Sequence, residues 1–304
     1  MKRMIGIATA TLSCLLLAAC AQGSAPASVH IVDYKADQLP DDVEVLKDIE
    51  YGQAGGVSLR LNLIRPKEPA QQPLPVIVWI HGGGWMAGNK DDAIGLLCGF
   101  AQRGYACVSV EYRFADVAVF PAQIQDCKAA IRFLRAHAQE YGLDAQRIGA
   151  WGDSAGGHLA ALLGTSGDVP ELEGDGGNPE QSSRVQAVCD WYGPVGFAEA
   201  AMTQDHPISV LLGGTPQSRR ELARQADPIT FLSADDPPIL IMHGDRDELV
   251  PLQLSQGFAD ALSAGSVDVT LDVIRGAGHG DGFWGVTAIY DKVLAFFDKV
   301  LKKN

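Results

Sequence analysis

Two short segments of this chain carry the residue types that acyl transfer needs at its reacting end, and they lie far apart in sequence. The first is Gly152-Asp153-Ser154-Ala155-Gly156-Gly157, which follows an apolar run ending at Trp151 and opens a stretch rich in Ala and Leu. A serine on a sharp strand-to-helix turn has strained backbone angles, and its neighbours must lack side chains for the chain to pass. Its hydroxyl then stands exposed at a helix N-terminus. The second is His81-Gly82-Gly83-Gly84-Trp85, again directly after an apolar run. Consecutive glycines bare their backbone amides, which can receive the charge that develops on a carbonyl oxygen during acyl transfer. A phosphate cradle is the rival reading of such a loop, but no Lys-Ser/Thr follows at P-loop spacing and the chain is acidic.

A serine is a poor nucleophile at neutral pH and needs a base, itself oriented by an acid. Two downstream segments offer them. His243-Gly244-Asp245-Arg246-Asp247-Glu248 and Gly276-Ala277-Gly278-His279-Gly280 each follow an apolar run. From the residues alone the acid stays open between Asp245 and Asp247. Of the seven histidines, His30 and His137 read as solvent-facing, His158 as a packing residue one turn beyond Ser154, and His81 and His243 as braces of their own loops. His206 stays open, and His279 is left as the candidate base.

The elements that must position these residues read as alternating strands and helices. Residues 43–51 and 57–64 alternate apolar and polar side chains around Ala54-Gly55-Gly56, which predicts an antiparallel hairpin at a sheet edge. Residues 76–80, 105–110, 147–151, 185–191 and 239–242 are short, nearly continuous apolar runs, as expected of parallel strands buried on both faces. Residues 121–141 repeat apolar side chains every three or four positions, a helix from Pro121 to just before Gly142. Residues 267–274 and 289–301 predict a last strand and a last helix. The fold class is therefore α/β: a mostly parallel twisted sheet with helices on both faces. Residues 167–183 read as an exposed loop. Residues 194–236 read as a small cap insertion over the carboxyl ends of the strands, where α/β proteins bind their substrates.

The N-terminus reads as an address. Lys2 and Arg3 precede 16 apolar or small residues, too few for a permanent span of roughly 20, so residues 1–19 are expected to be an export signal. Leu17-Ala18-Ala19-Cys20 resembles a bacterial lipobox, which implies acylation of Cys20, a lipid anchor on a cell membrane and an extracytoplasmic body. Residues 20–40 are expected to be a flexible tether to a single domain over 41–304. Cys98, Cys107, Cys127 and Cys189 lie in segments that read as buried helix faces or strands and are expected to be free thiols. The formal charge of −13 becomes −15 once residues 1–19 are removed, since they carry two cations and no anion. Such a balance, without a basic cluster, argues against nucleic acid as a partner.

Taken together, these motifs resemble the α/β-hydrolase superfamily, and more closely the esterases of the hormone-sensitive-lipase type and the feruloyl and acetyl-xylan esterase-like (BD-FAE-like) branch. Phe120-Pro121-Ala122-Gln123-Ile124-Gln125-Asp126 and Asp190-Trp191-Tyr192-Gly193-Pro194 are similar to that branch, and the likeness extends over about residues 43–300. The resemblance implies Ser154 as nucleophile, His279 as general base and acid, and Asp247 rather than Asp245 as the orienting carboxylate. It implies the amides of Gly83, Gly84 and Ala155 as the oxyanion hole, and chemistry without metal or cofactor. Tyr112-Arg113-Phe114-Ala115-Asp116 departs from the lipase-type pattern, which points away from that group and leaves the catalytic set untouched. The expected substrate is a small acyl or aryl ester, including acylated sugars, with Trp85, Phe114, Phe283 and Trp284 lining its pocket. An accessory polysaccharide esterase is a narrower form of this reading. A prolyl-oligopeptidase-like peptidase and a non-catalytic binding protein on the same fold are the alternatives from other classes.

Overall fold

The computed structural model describes residues 30–302 except 36 and 168. The expected export signal, Cys20 and residues 20–29 of the expected tether lie outside the described residues.

Eight strands form one sheet: β1 (Val43–Ala54), β2 (Val57–Pro66), β3 (Leu74–Ile80), β4 (Ala106–Val110), β5 (Leu143–Asp153), β6 (Ala187–Trp191), β7 (Ile239–Gly244) and β8 (Val269–Ile274). Their spatial order is β1-β2-β4-β3-β5-β6-β7-β8. β1 and β2 make the expected antiparallel hairpin at one edge; β2 runs antiparallel to β4, and all other neighbours are parallel. The exchange of β3 and β4 in the order places β3 and β5, which carry the two glycine turns, side by side. Ile80 lies opposite Gly152.

Helices α1 (Ile94–Ala101), α2 (Ala122–Ala136), α3 (Ala138–Tyr141), α4 (Ala155–Thr165), α5 (Pro207–Leu212), α6 (Arg220–Ala226), α7 (Leu252–Ala264) and α8 (Thr287–Leu301) complete the chain. Strand alternation divides the core in two. Val76, Val78 and Ile80 point to one face, under α2, α4 and α7. Ile77 and Trp79 point to the other, under α1 and α8. On that second face Trp79, Trp151 and Trp191 meet edge to face, with ring centroids 4.8 and 4.9 Å apart along the row. The single helix expected over 121–141 is two, because the chain turns at His137 before resuming as α3; it ends at Gly142 in the left-handed conformation, φ 69°. The four body cysteines are buried and free, as expected.

One expectation is corrected and a second is qualified. The described end of the tether does not hang free: Ile31 is buried, its amide donates to Asp291 Oδ1 (3.0 Å), and the Tyr34 amide donates to Gly95 O (3.2 Å). Apolar burial and these bonds make residues 30–35 a strap along α1 and α8. The loop at 169–183 is largely exposed, as expected, but it is also stapled to the body. Leu172 is buried, and Glu173 accepts from Lys128 Nζ and Arg132 Nη1, both at 2.7 Å. Both cations project from α2 and are themselves almost fully buried, so the loop supplies the counter-charge they require.

Within 194–236, α5 and α6 form the expected cap. It rests on the carboxyl ends of the strands: Leu211 O accepts from the Phe120 amide at 2.9 Å, and Ala226 O lies 2.7 Å from His158 Nε2 on α4.

Candidate active site

The nucleophile turn joins β5 to α4. Ser154 has φ 51° and ψ −117°, outside the regions an L-residue ordinarily occupies. The strain is held by close backbone approach on both sides. A methyl group on Gly156 would sit 2.0 Å from Ile80 O, so no larger residue fits between α4 and β3. The Ser154 amide donates to Trp191 O at 2.8 Å, which ties the turn to β6. These contacts leave the hydroxyl facing the rim of the sheet.

There it meets the other two segments. His279 Nε2 is 2.9 Å from Ser154 Oγ, and His279 Nδ1 is 2.7 Å from Asp247 Oδ2. Asp247 Oδ1 accepts from the amides of Leu249 (2.9 Å) and Val250 (2.8 Å). Burial opposes ionisation of this carboxyl, but hydrogen bonds from His243, His279 and the Val250 amide outweigh it and hold it well below the usual carboxylate range. Asp245, the rival acid, turns away: its Oδ1 accepts from the Gly276 amide at 2.6 Å and so braces the turn that carries His279.

The loop after β3 curls beside Ser154. Gly83 has φ 104°, and a methyl group there would lie 2.1 Å from Ala87 O. The Gly82 amide donates to Asp153 Oδ1 (2.7 Å), whereas the amides of Gly83 and Gly84 meet no protein acceptor among the described residues. The Ala155 amide opens α4 and has no intrahelical acceptor. The two turns, side by side on β3 and β5, thus hold three uncommitted amide donors.

Of the expected pocket residues, one fits. Trp284, 40% exposed, lines a cleft of about 380 Å³ beside His279, together with Asp153, Tyr192 and Asp281. Trp85 and Phe283 do not line it. Trp85 is 2% exposed and donates from Nε1 to His158 Nδ1 at 3.3 Å; Phe283 is fully buried against Trp191 and Tyr192. Their rings are large enough that burial on the sheet outweighs a place at the rim. Phe114, partly buried, packs edge-on against His81 and Tyr112. Its loop is anchored by the Arg113 fork on Asp126, at 2.7 and 2.8 Å.

The remaining histidines are accounted for. His158 is buried between Trp85 and Ala226 O, and burial pushes it down to about 4 although the carbonyl favours its proton. His81 bonds Gly82 O at 2.8 Å and stacks on Tyr112, and His206 caps α5. His30 is exposed and pairs with Asp291, and His137 pairs with Glu140.

Two residues of the site had not been singled out from sequence. Asp153 holds the loop after β3 through Gly82, and burial pushes its carboxyl up to about 6 against the pull of the Gly82 amide and of His279. Tyr192, buried with φ 43°, sets its ring edge-on to His279 with centroids 4.8 Å apart. The signals were their places: Asp153 precedes the serine, and Tyr192 follows β6 on the same rim.

The chain is similar to known proteins over most of its length. The BD-FAE family model matches residues 61–262. A probable carboxylic ester hydrolase of Mycobacterium tuberculosis, LipM, is 34% identical over 227 residues, 71% of this chain and 51% of that protein. The chain thus spans about half the length of the curated relatives it matches. A truncated carbohydrate esterase from gut microbiota superposes with TM-score 0.80 at 30% identity, over 89% of this chain and all of that one. The propionate-bound thermophilic esterase Est2 of Thermogutta terrifontis gives TM-score 0.70 at 30% identity, over 85% and 93%. These likenesses show the α/β-hydrolase fold.

Proposed function

The chain belongs to the BD-FAE family, and from that premise we propose that it is a serine carboxylic-ester hydrolase working through an acyl-enzyme. The observation that carries the reading is the continuous hydrogen-bonded line Ser154 Oγ, His279, Asp247. Ser154 Oγ attacks the ester carbonyl carbon while its proton passes to His279 Nε2. The carbonyl oxygen takes the negative charge and is held by the three amides. As the tetrahedral species collapses, His279 returns the proton to the departing alkoxide and the alcohol leaves. Water then gives a proton to His279 and attacks the acyl carbon; Ser154 regains its proton and the carboxylic acid is released.

The open cleft beside His279 suits small acyl or aryl esters. An acylated sugar as substrate is favoured by the half-exposed indole of Trp284 flanked by Asp153 and Asp281. A flat apolar face with hydroxyl acceptors beside it matches the two sides of a pyranose ring. We place the enzyme outside the cytoplasm, tethered by acylation of Cys20; the leader's composition supports this, and loss of palmitate labelling in Cys20→Ala tests it.

A panel of 4-nitrophenyl acetate, propionate and butyrate, acetylated xylan, methyl ferulate and a peptide anilide tests the activity. Ester turnover by the wild type, absent in Ser154→Ala, is expected. Release of the anilide without any ester turnover contradicts the reading.

A further inference from the structure

His243 does more than brace its own loop. It lies at the end of β7 with its ring fully buried, and three polar atoms surround it. Nδ1 is 2.7 Å from Ser255 Oγ on α7; Nε2 is 2.9 Å from Val250 O and 3.2 Å from Asp247 Oδ2. A carbonyl oxygen can only accept, so Nε2 carries a proton directed to Val250 O, and Nδ1 pairs with the Ser255 hydroxyl. The ring orientation is thereby fixed, with the Nε2–H directed to Val250 O and Asp247 Oδ2 3.2 Å from the same nitrogen.

We propose that His243 is a positioning residue that sets the basicity of His279 through Asp247. The same Oδ2 that takes the His279 Nδ1–H lies 3.2 Å from His243 Nε2, within the field of its N–H dipole, while Oδ1 takes two backbone amides. Each donor draws on the carboxylate charge that stabilises the imidazolium formed when His279 accepts the serine proton. With His243 in place Asp247 is fixed in direction and restrained in charge, so His279 releases its proton readily in the second half of each step. Without it, the full charge of Asp247 falls on His279, which then holds its proton to higher pH. Other titratable groups face the pair: Asp190 at the end of β6 senses His243, and Asp153 and Tyr192 lie against His279. All three are retained in the variants below.

This inference rests on the proposed esterase activity, and its test separates the two. The kcat/KM of the full chain on 4-nitrophenyl acetate is measured from pH 5 to 9 for wild type, His243→Leu and His243→Gln, and the His279 titration is followed in the same proteins by 15N imidazole NMR, which needs no turnover. In the Leu variant the acid limb and the NMR midpoint both move up by about one pH unit, the effect of losing one N–H dipole beside a charged group. The Gln variant, which restores a donor, titrates near wild type. If the Leu variant does not fold, Ser255→Ala, which removes the Nδ1 partner and loosens the ring, shows a smaller shift in the same direction. A rate loss with the midpoint unmoved in every folded variant, or a downward shift, overturns the proposal. A wild type that turns over no ester defeats the esterase reading while the NMR midpoints still decide this one.

Discussion

The two halves of the proposed catalytic rim are held by different forces. On the nucleophile side, the turns after β3 and β5 are fixed by backbone meeting backbone: Gly156 against Ile80 O, Gly83 against Ala87 O, Ser154 N on Trp191 O. On the base side, the turns after β7 and β8 are fixed by side chains bonding to amides and to each other: Asp247, Asp245 and His243. The first kind of constraint is steric and leaves no room for compromise. The second is electrostatic and graded, so the base side is where pH and conservative substitution register.

The largest effect is expected on the steric side. Gly156→Ala drives a methyl group into the β3 backbone, 2.0 Å from Ile80 O, and should cost more than about 3 kcal/mol of stability, read as a collapse of the thermal transition. A variant that melts within a few degrees of wild type would show the turn to be softer than its packing implies.

On the base side Asp247→Asn keeps shape and removes charge. A fall in kcat of about 10³–10⁴ with little change in Tm is expected, since the amide can no longer hold the His279 tautomer or balance the imidazolium.

Asp190 sharpens the contrast through stability. It is fully buried, its Oδ1 accepts from the Gly193 amide at 2.8 Å, and Oδ2 has no partner among the described residues. Burial pushes the carboxyl up to about 6, with the Gly193 amide and His243 pulling the other way. A folded value above the unfolded one near 4 means stability that is complete below pH 4 and lost as pH rises through 6, about 2–3 kcal/mol in all. Asp153 acts in the same direction, whereas His158, pushed down to about 4, contributes stability present above pH 6.5 and lost as pH falls through 4. Asp190→Asn removes one term of the first kind, so its chemical-denaturation stability should rise more steeply than that of wild type between pH 4 and 6.5. An identical slope would show that the carboxyl is ionised at no net cost.

The smallest effect separates the two aspartates. Asp245→Ala loses only the bond to the Gly276 amide and should lower kcat/KM about tenfold or less. A loss as large as that of Asp247→Asn would reverse the assignment of the acid.

The sequence disclosed the steric half more readily than the graded half, for a physical reason. Bare amides and a strained serine demand fixed residue types at consecutive positions, so both turns could be read from the chain. Hydrogen-bond partners such as Ser255 for His243, or Asp153 for Gly82, depend on which segments the sheet order brings together, and the exchange of β3 and β4 has no local signal. Helix α1 is buried all round, which erases the periodicity that would mark it as a helix. Trp85 and Phe283 misled because an aromatic residue near a motif serves the core as well as a pocket. The staple of Glu173 to Lys128 and Arg132 joins a polar loop to a helix face that had read as simply amphipathic.

The central claim is that the Ser154 hydroxyl is made nucleophilic by His279. Intact-mass analysis after incubation with a fluorophosphonate tests it most directly. One phosphonyl group per chain on Ser154, absent from Ser154→Ala and added at least about 10³-fold more slowly to His279→Ala, is the expected result. Labelling elsewhere in the chain, or at an undiminished rate without His279, would contradict it.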